Sequence, residues 1–423
     1  MLRRYLRPRR RLPLWFILTV AAPFIFEILI HLWSYDVPVP PRELDPPFST
    51  TCQEPDTSAK RENAVLVMLT RNWELEQANR TIASIEKKFN QWYHYPILFM
   101  NDEEWDPEFI RVLNETSSGK ATFEVIPPEV WSFPRWMDAN AARKSIKAQG
   151  ARNIPHAGDE GYHHMCRFYS GAFYNFPPLK QYKWYWRLEP DVEFMCAITY
   201  DPFVEMARND KVYGFTISLW EESETCPQLF RDTSDWKQYN SIPTNNLWKA
   251  MVQASWMPWP LRRWLSLLGH RDRNGDSWSL CHYWSNFEIA NMDFFRTPTY
   301  QSYFQFLERR GGFYFERWGD AAVHSLYVAM AADPKQVHHF EDFGYRHDRL
   351  YQCPSNSING QLPESSMLNT GLGKNLGVPG TSTGIGCRCE CDGRKETRNH
   401  PGYCLNKLKQ PNSRKRPWLT WLL

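Results

Sequence analysis

Ala64-Val65-Leu66-Val67-Met68-Leu69-Thr70, followed by Leu75, Ala78, Ile82, Ile85 and Phe89, is the stretch on which the fold turns. The first run is continuous, apolar and short, which is the pattern of a strand buried on both faces. The apolar residues after it recur at three- and four-residue steps and so mark one face of a helix. Residues 95–100 then give a second apolar run that ends at Asn101-Asp102. Strand, helix and strand in that order make a βαβ unit, which predicts a parallel sheet. Further along, residues 109–113 read as a short helix and 122–126 as a third strand. Residues 180–187 form an aromatic strand that runs into Glu189-Pro190-Asp191, and 212–219 read as another strand. No G-x-G-x-x-G follows the first strand. That argues against a dinucleotide cofactor, but not against a nucleotide-sugar whose phosphates are held by a metal.

Outward from this core, the N-terminus carries Arg3, Arg4, Arg7, Arg9, Arg10 and Arg11 ahead of a largely apolar run, Leu12 to Trp33. At about 1.5 Å per residue the run is long enough for a ~30 Å hydrocarbon core. Arginines in front of a span stay cytoplasmic, so the rest of the chain is expected to be lumenal. Pro23 and Glu27 sit inside the span, and Val20-Ala21-Ala22 resembles a signal-peptidase site. An anchor and a cleaved signal both stand as readings. The six arginines exceed the whole formal net charge of +3, so the lumenal part is net acidic and is no nucleic-acid surface. The basic tail, Lys407, Lys409, Arg414, Lys415 and Arg416, reads as a solvated end.

Ten cysteines in a lumenal chain are potential disulfide partners. Cys387, Cys389, Cys391 and Cys404 crowd the C-terminus. Their C-x-C-x-C spacing lacks the usual zinc-knuckle pattern, which favours a disulfide-tied tail over a metal site. Asn79-Arg80-Thr81 and Asn114-Glu115-Thr116 are glycosylation sequons. Residues 241–279 are rich in Trp and Pro and carry Arg262, Arg263, Arg271 and Arg273. They read as an insertion whose tryptophans contact sugar, membrane or one another.

Glu189-Pro190-Asp191 is the motif with chemistry in it. Two carboxylates at the end of a strand offer oxygen ligands to Mg²⁺ or Mn²⁺, with positions left for diphosphate oxygens. Pro190 disfavours helix, so the carboxylates belong to a turn. Alone, an acidic turn closing a strand is the plainer reading. Its neighbours change that. Residues 162–171 (Tyr162-His163-His164-Met165-Cys166-Arg167 onward), Tyr185-Trp186-Arg187-Leu188-Glu189-Pro190-Asp191-Val192, and Trp284-Ser285-Asn286-Phe287-Glu288-Ile289 strongly resemble the fungal α-1,2-mannosyltransferases of glycosyltransferase family 15. So do Arg317-Trp318-Gly319-Asp320 and Gly344-Tyr345-Arg346-His347. The resemblance runs in order from about Asn63 to Tyr351.

The resemblance implies an α/β fold of GT-A type with a mixed, mainly parallel central sheet, preceded by one transmembrane helix. It implies GDP-mannose as donor, Mn²⁺ or another divalent cation as cofactor, a mannose-terminated glycan acceptor on glycoproteins, and retention of the α configuration. It places the chain in the Golgi membrane as a single-pass type II protein. The expected boundaries are a cytoplasmic tail at 1–11, a signal anchor at 12–33, a stem at 34–62, a catalytic domain at 63–351 and a cysteine-containing tail at 352–423. Glu189 matches the metal-binding carboxylate, with Asp191 beside it on the donor side, and His347 is the distant histidine expected to complete the site. His324 is its rival. Glu288 is the implied nucleophile or stabiliser of an oxocarbenium-like centre, and Asp320 orients the acceptor hydroxyl or takes its proton. Tyr162 and Arg167 are expected to line the donor pocket. Arg71, just past the first strand, is placed for nucleotide contact. The sequence leaves double displacement and front-face transfer open. It departs from the family at Cys196-Ala197-Ile198, where an acidic residue is expected after the cysteine. A mannosylphosphate transferase and a non-catalytic glycan-binding protein are the competing functions, and the complete carboxylate set argues against the latter.

Overall fold

The computed structural model describes residues 14–35, 47–357, 384–391 and 403–409. The N-terminal arginine cluster, residues 36–46 of the stem and the basic residues from Arg414 onward lie outside the described residues. In chain order the strands are β1 (Ala64–Leu69), β2 (Ile97–Asn101), β3 (Ala121–Val125), β4 (Trp184–Leu188), β5 (Val192–Phe194), β6 (Tyr213–Phe215) and β7 (Ser218–Trp220). They continue with β8 (Val252–Gln253), β9 (Ser277–Trp278), β10 (Cys281–Tyr283), β11 (Glu288–Asn291), β12 (Val337–His339), β13 (Tyr345–His347) and β14 (Leu350–Gln352).

Seven of them form the central sheet in the order β12-β6-β11-β4-β1-β2-β3. β1 lies parallel to β2 and β4, β2 to β3, and β6 to β12, while β11 runs antiparallel between β4 and β6. The sheet is therefore mixed and mainly parallel. Successive side chains of β1 point to opposite faces. Val65, Val67 and Leu69 enter one apolar core, and Ala64, Leu66 and Met68 enter the other. Ala78, Ile82 and Ile85 of the helix Leu75–Ile85 cover the second face, with Phe109 and Leu113 of the helix Pro107–Thr116 beside them. The helices Ala139–Ala151, Glu160–Ser170 and Asp320–Ala331 cover the first. Both faces of the sheet are thus dry, which is why its inner strands read as continuous apolar runs.

Three local expectations change. The helix that follows β1 does not end at Phe89 as one α-helix; it continues through a π-helical turn, Glu86–Asn90. The run 212–219 splits, because the chain leaves the central sheet after Phe215 and β7 pairs antiparallel with β10. The insertion, whose Trp- and Pro-rich composition predicts irregular chain, is partly regular. It contains the helices Asn246–Met251 and Trp259–Leu265 and the small antiparallel pair β8–β9.

At the N-terminus the apolar run forms the helix Leu14–Ser34, with Pro23 and Glu27 inside it. Among the described residues no helix is long and apolar enough to cross a membrane. The cysteine-rich tail is tied by disulfides rather than gathered around a metal. Cys387 bonds Cys52, Cys389 bonds Cys196, Cys391 bonds Cys353 and Cys404 bonds Cys281. Cys166 and Cys226 remain as buried thiols.

Candidate active site

The carboxyl ends of β1, β2 and β4 open on one edge of the sheet, the edge at which α/β folds of this kind bind ligands. Arg71 follows β1 there. It is ion-paired with Asp102, just past the end of β2, and its guanidinium faces the Trp131 ring at 5.5 Å. Glu189-Pro190-Asp191 follows β4 and turns the chain into β5. The turn is fastened from below. The buried Thr81 hydroxyl, on the helix Leu75–Ile85, lies 2.9 Å from the carbonyls of both Pro190 and Val192 and accepts the Val192 N–H at 3.2 Å.

His347 reaches this turn through strand pairing. β13 runs antiparallel to β5 with His347 opposite Val192, and its Nε2 donates to Asp191 Oδ1 at 3.0 Å. The imidazole stacks on Trp284 with ring centroids 4.7 Å apart, and its Nδ1 accepts from the Asn286 amide. The His347 hydrogen bond holds the Asp191 carboxyl below the usual carboxylate range. Burial pushes Glu189 upward, against the pull of Arg187 and His347.

Behind the turn lies a buried charge network centred on Arg187, the last polar residue of β4. Its Nε donates to Glu189 Oε1 at 2.7 Å, and its Nη1 donates to Asp320 Oδ2 at 2.5 Å. The same Nη1 is 3.6 Å from Glu288 Oε1, and the guanidinium lies 3.6 Å from the Tyr169 ring centroid. Glu288 faces Arg187 because it opens β11, which pairs with β4 in that register. Its side chain is 0% exposed and accepts from Tyr185 Oη at 3.3 Å and from His324 Nδ1 at 3.0 Å. Asp320 and His324 begin the helix Asp320–Ala331 and share one face at i, i+4 spacing. Ser285 donates to Asp320 at 2.7 Å. Burial alone would push Asp320 up, but Arg187 outweighs it and the carboxyl stays ionised below its ordinary value. Burial would likewise push His324 down, and the Glu288 carboxylate reverses that.

Glu189, Asp191 and His347 therefore come together at the open end of β4, with Asp320 and Glu288 joined to them through Arg187. The rival histidine, His324, belongs to Glu288 and not to the turn. Tyr162 lies to one side, its hydroxyl accepting from Arg317 at 3.2 Å and its ring stacked on His156. Arg167 is outside the network. Its guanidinium donates to Glu308 at 2.6 Å and to the carbonyls of Val130 and Ser132 at 3.0 and 3.2 Å, so it braces the 130–132 loop. Arg187 was not among the residues singled out from the sequence. The signal was present, since an arginine two positions before Glu189 in an otherwise apolar strand shares its face and needs a buried partner.

The residues at the turn fit a divalent cation. Glu189 and Asp191 supply carboxylate oxygens and His347 an imidazole nitrogen, a mixed set that suits Mn²⁺. Asn286 adds an independent reason. Its Oδ1 is buried without a hydrogen-bond partner. Turned over, that amide accepts the proton from Nδ1 when Nε2 is a ligand, as the partner of a metal-bound histidine does. Glu288, Asp320 and His324 also have potential ligand atoms within 4.8 Å of one another. The two carboxylates already share the Arg187 guanidinium, all three residues are sealed from solvent, and Arg187 would repel a second cation there.

Comparison with known proteins places these features in context. The model of a family described as Glycolipid 2-alpha-mannosyltransferase matches residues 42–362. An O-glycoside alpha-1,2-mannosyltransferase homolog from Schizosaccharomyces pombe is 41% identical over 331 residues, covering 73% of this chain and 75% of its own. The Mn/GDP form of core-mannan synthase A from Aspergillus fumigatus superimposes with a TM-score of 0.65 at 35% identity, covering 78% of this chain and 86% of its own. The mannosyltransferase Ktr4p from S. cerevisiae in complex with GDP gives 0.65 at 34% identity, over 79% and 82% of the two chains.

Proposed function

Because the chain belongs to the glycolipid 2-alpha-mannosyltransferase family, we propose that it transfers mannose from GDP-mannose to a mannose-terminated glycan on glycoproteins. The linkage formed is α-1,2, the donor's α configuration is retained, and the fold is of GT-A type. The observation that carries the reading is the pairing of β13 with β5, which sets His347 against Asp191 beside Glu189.

Glu189 and His347 are the residues that would hold the divalent cation, Mn²⁺, with the Asp191 carboxylate beside them on the donor side. The cation supplies electrostatic stabilisation of the diphosphate. In the transfer, the bond from the mannose anomeric carbon to the diphosphate breaks and its electron pair leaves with GDP. A new bond forms to the acceptor oxygen, whose proton is taken up by a carboxylate or by the departing diphosphate. Asp320, ionised beside Arg187, is the carboxylate proposed to orient the acceptor hydroxyl. The closed surroundings of Glu288 and its two hydrogen bonds favour a fixed negative charge near the oxocarbenium-like centre over a freely exposed nucleophile. Arg71 and Tyr162, on the sheet edge and the neighbouring helix, serve the nucleotide.

We also place the enzyme in the Golgi membrane as a single-pass type II protein. Residues 12–33, most of them in the helix Leu14–Ser34, are its anchor, residues 34–62 its stem and residues 63–351 its lumenal catalytic domain. Exposed Trp15, Phe26 and Trp33 on that helix support the anchor, and the four disulfides support an oxidising lumen.

The deciding experiment incubates the full-length chain with radiolabelled GDP-mannose, Mn²⁺ and α-methyl mannoside. A neutral labelled disaccharide is expected. An acidic product would replace the reading by mannosylphosphate transfer, and a folded protein without turnover would end it. Glu189→Ala should lower Mn²⁺-dependent turnover ~100-fold or more; a variant with undiminished turnover rules out the metal assignment.

A further inference from the structure

Among the described residues, the large apolar side chains left exposed fall into two runs. One follows the helix Leu14–Ser34. The other occupies residues 256–268 of the insertion, with Trp256 73%, Trp264 70% and Leu267 79% exposed, and Trp259, Leu261 and Leu268 alongside. Elsewhere only single residues such as Trp73, Trp136 and Tyr239 are exposed, which is ordinary for a protein surface. Local packing accounts for Trp248 and Trp278 of the insertion, which are buried, but not for Trp256, Trp259 and Trp264, whose surface is mostly open.

The two runs touch. Glu27 Oε1 is 2.8 Å from Arg262 Nη2, and Glu27 Oε2 accepts the Trp259 N–H at 3.0 Å. One turn further along, His31 bonds the buried Asp276 at 2.8 Å, and Asp276 also accepts the Ser255 N–H at 2.8 Å. Glu27 would otherwise be an unpaired carboxylate in an apolar helix, a costly placement in a bilayer. The insertion supplies both its counter-ion and a hydrogen-bond donor. The apolar surface of 256–268 is therefore continuous with the helix that reaches the membrane.

We propose that residues 256–268 are an interfacial membrane-binding element, seated in the lumenal leaflet beside the N-terminal helix and holding the catalytic domain close against the bilayer. This rests on the anchored reading given above. Depth agrees with chemistry. Glu27 lies seven residues before the helix end at Ser34, which is about 10 Å along the axis. Interfacial helices settle ~5–10 Å into the boundary between headgroups and acyl chains. Tryptophan is enriched at that level, where its ring is apolar and its N–H still finds a partner. The exposed Arg263 guanidinium lies 5.8 Å from the Trp259 ring centroid and is available to lipid phosphates. The consequence is functional: an enzyme held in this way works on glycans within reach of the membrane surface.

The test uses the full-length chain in phosphatidylcholine–phosphatidylserine proteoliposomes. Eight cysteines are disulfide-bonded and Cys166 and Cys226 are buried, so an added cysteine is the accessible thiol. Leu267→Cys, and as a control Tyr239→Cys, are labelled with an environment-sensitive fluorophore. Mannosyl transfer to α-methyl mannoside, unchanged in both variants, reports that they are folded and tests the catalytic reading separately. The expected result at position 267 is blue-shifted emission, quenched ~3-fold or more strongly by a lipid-attached spin label than at 239, and protected from aqueous iodide. Equal iodide quenching at both positions overturns the proposal. So does protection at 267 without lipid quenching, which would mean contact with protein. If the unmodified chain fails to float with the vesicles, the anchor reading falls and this inference falls with it.

Discussion

Arg187 carries three demands at once. Its Nε satisfies Glu189, its Nη1 satisfies Asp320, and its face lies on Tyr169. Lysine has one compact charged centre and no planar fork, so it cannot meet all three. Arg187→Lys is expected to lower kcat/KM ~100-fold or more and to cost about 3 kcal/mol of stability by leaving a buried carboxylate poorly paired. Steady-state kinetics and thermal unfolding measure both, and a near-wild-type variant would remove Arg187 from the site. Glu316 offers a pH-linked test. Burial holds its carboxyl up at about 7, although Trp318 Nε1 at 2.5 Å and the Gln228 N–H at 3.2 Å donate to it. The folded state thus binds more protons than the unfolded state between the usual glutamate value and about 7. Its stability falls as pH rises through that window and levels off above it. Glu316→Gln keeps an acceptor oxygen for both donors and removes the charge. It should stabilise the protein by up to ~3 kcal/mol at pH 8 and leave it little changed near pH 4. Denaturant titrations at the two pH values give the comparison, and equal differences at both would contradict the linkage.

Among the elements, the turn between β4 and β5 depends on the helix beneath it. Thr81 is at once part of that helix's buried face and the clamp on Pro190 and Val192. Thr81→Val keeps the shape and β-branching but strands buried backbone groups, at a cost of about 1–3 kcal/mol. Because the turn presents Glu189 and Asp191, the apparent Mn²⁺ affinity should weaken as well. Stability loss with unchanged metal dependence would mean that the turn holds its form without the clamp. The apolar spacing of the helix was legible in the sequence, because Ala78, Ile82 and Ile85 answer to local periodicity. The second task of Thr81 was not, since it concerns carbonyls more than a hundred residues away. The division of 212–219 has no local sequence signal for a related reason. Apolar content continues through both halves, and only the choice of partner strand separates β6 from β7.

For the molecule as a whole, the C-terminal cysteines clasp distant parts of the chain. Cys387 reaches back 335 positions to Cys52, and Cys389 joins the segment just past β5. Replacing Cys52 and Cys387 together by serine should lower stability by ~2–5 kcal/mol. Transfer activity should survive at low temperature, because neither residue touches the carboxylates; thermal inactivation rates against activity at 10 °C would check this. Local sequence made the buried β1 run, the helix after it, the parallel start of the sheet and the acidic turn Glu189-Pro190-Asp191 legible. Those features depend on residues near one another in the chain, whose spacing and polarity are visible directly. Family-like segments added His347, Glu288 and Asp320 as expected participants, without saying what each touches. Contacts across the fold settle that His347 meets Asp191, that His324 belongs to Glu288, that Arg187 joins the carboxylates, and that Arg167 braces a loop. They also settle the cysteine pairing and the docking of the insertion on Glu27. Each of these is a contact between residues far apart in sequence, set by strand register, helix docking and the need of every buried charge for a partner.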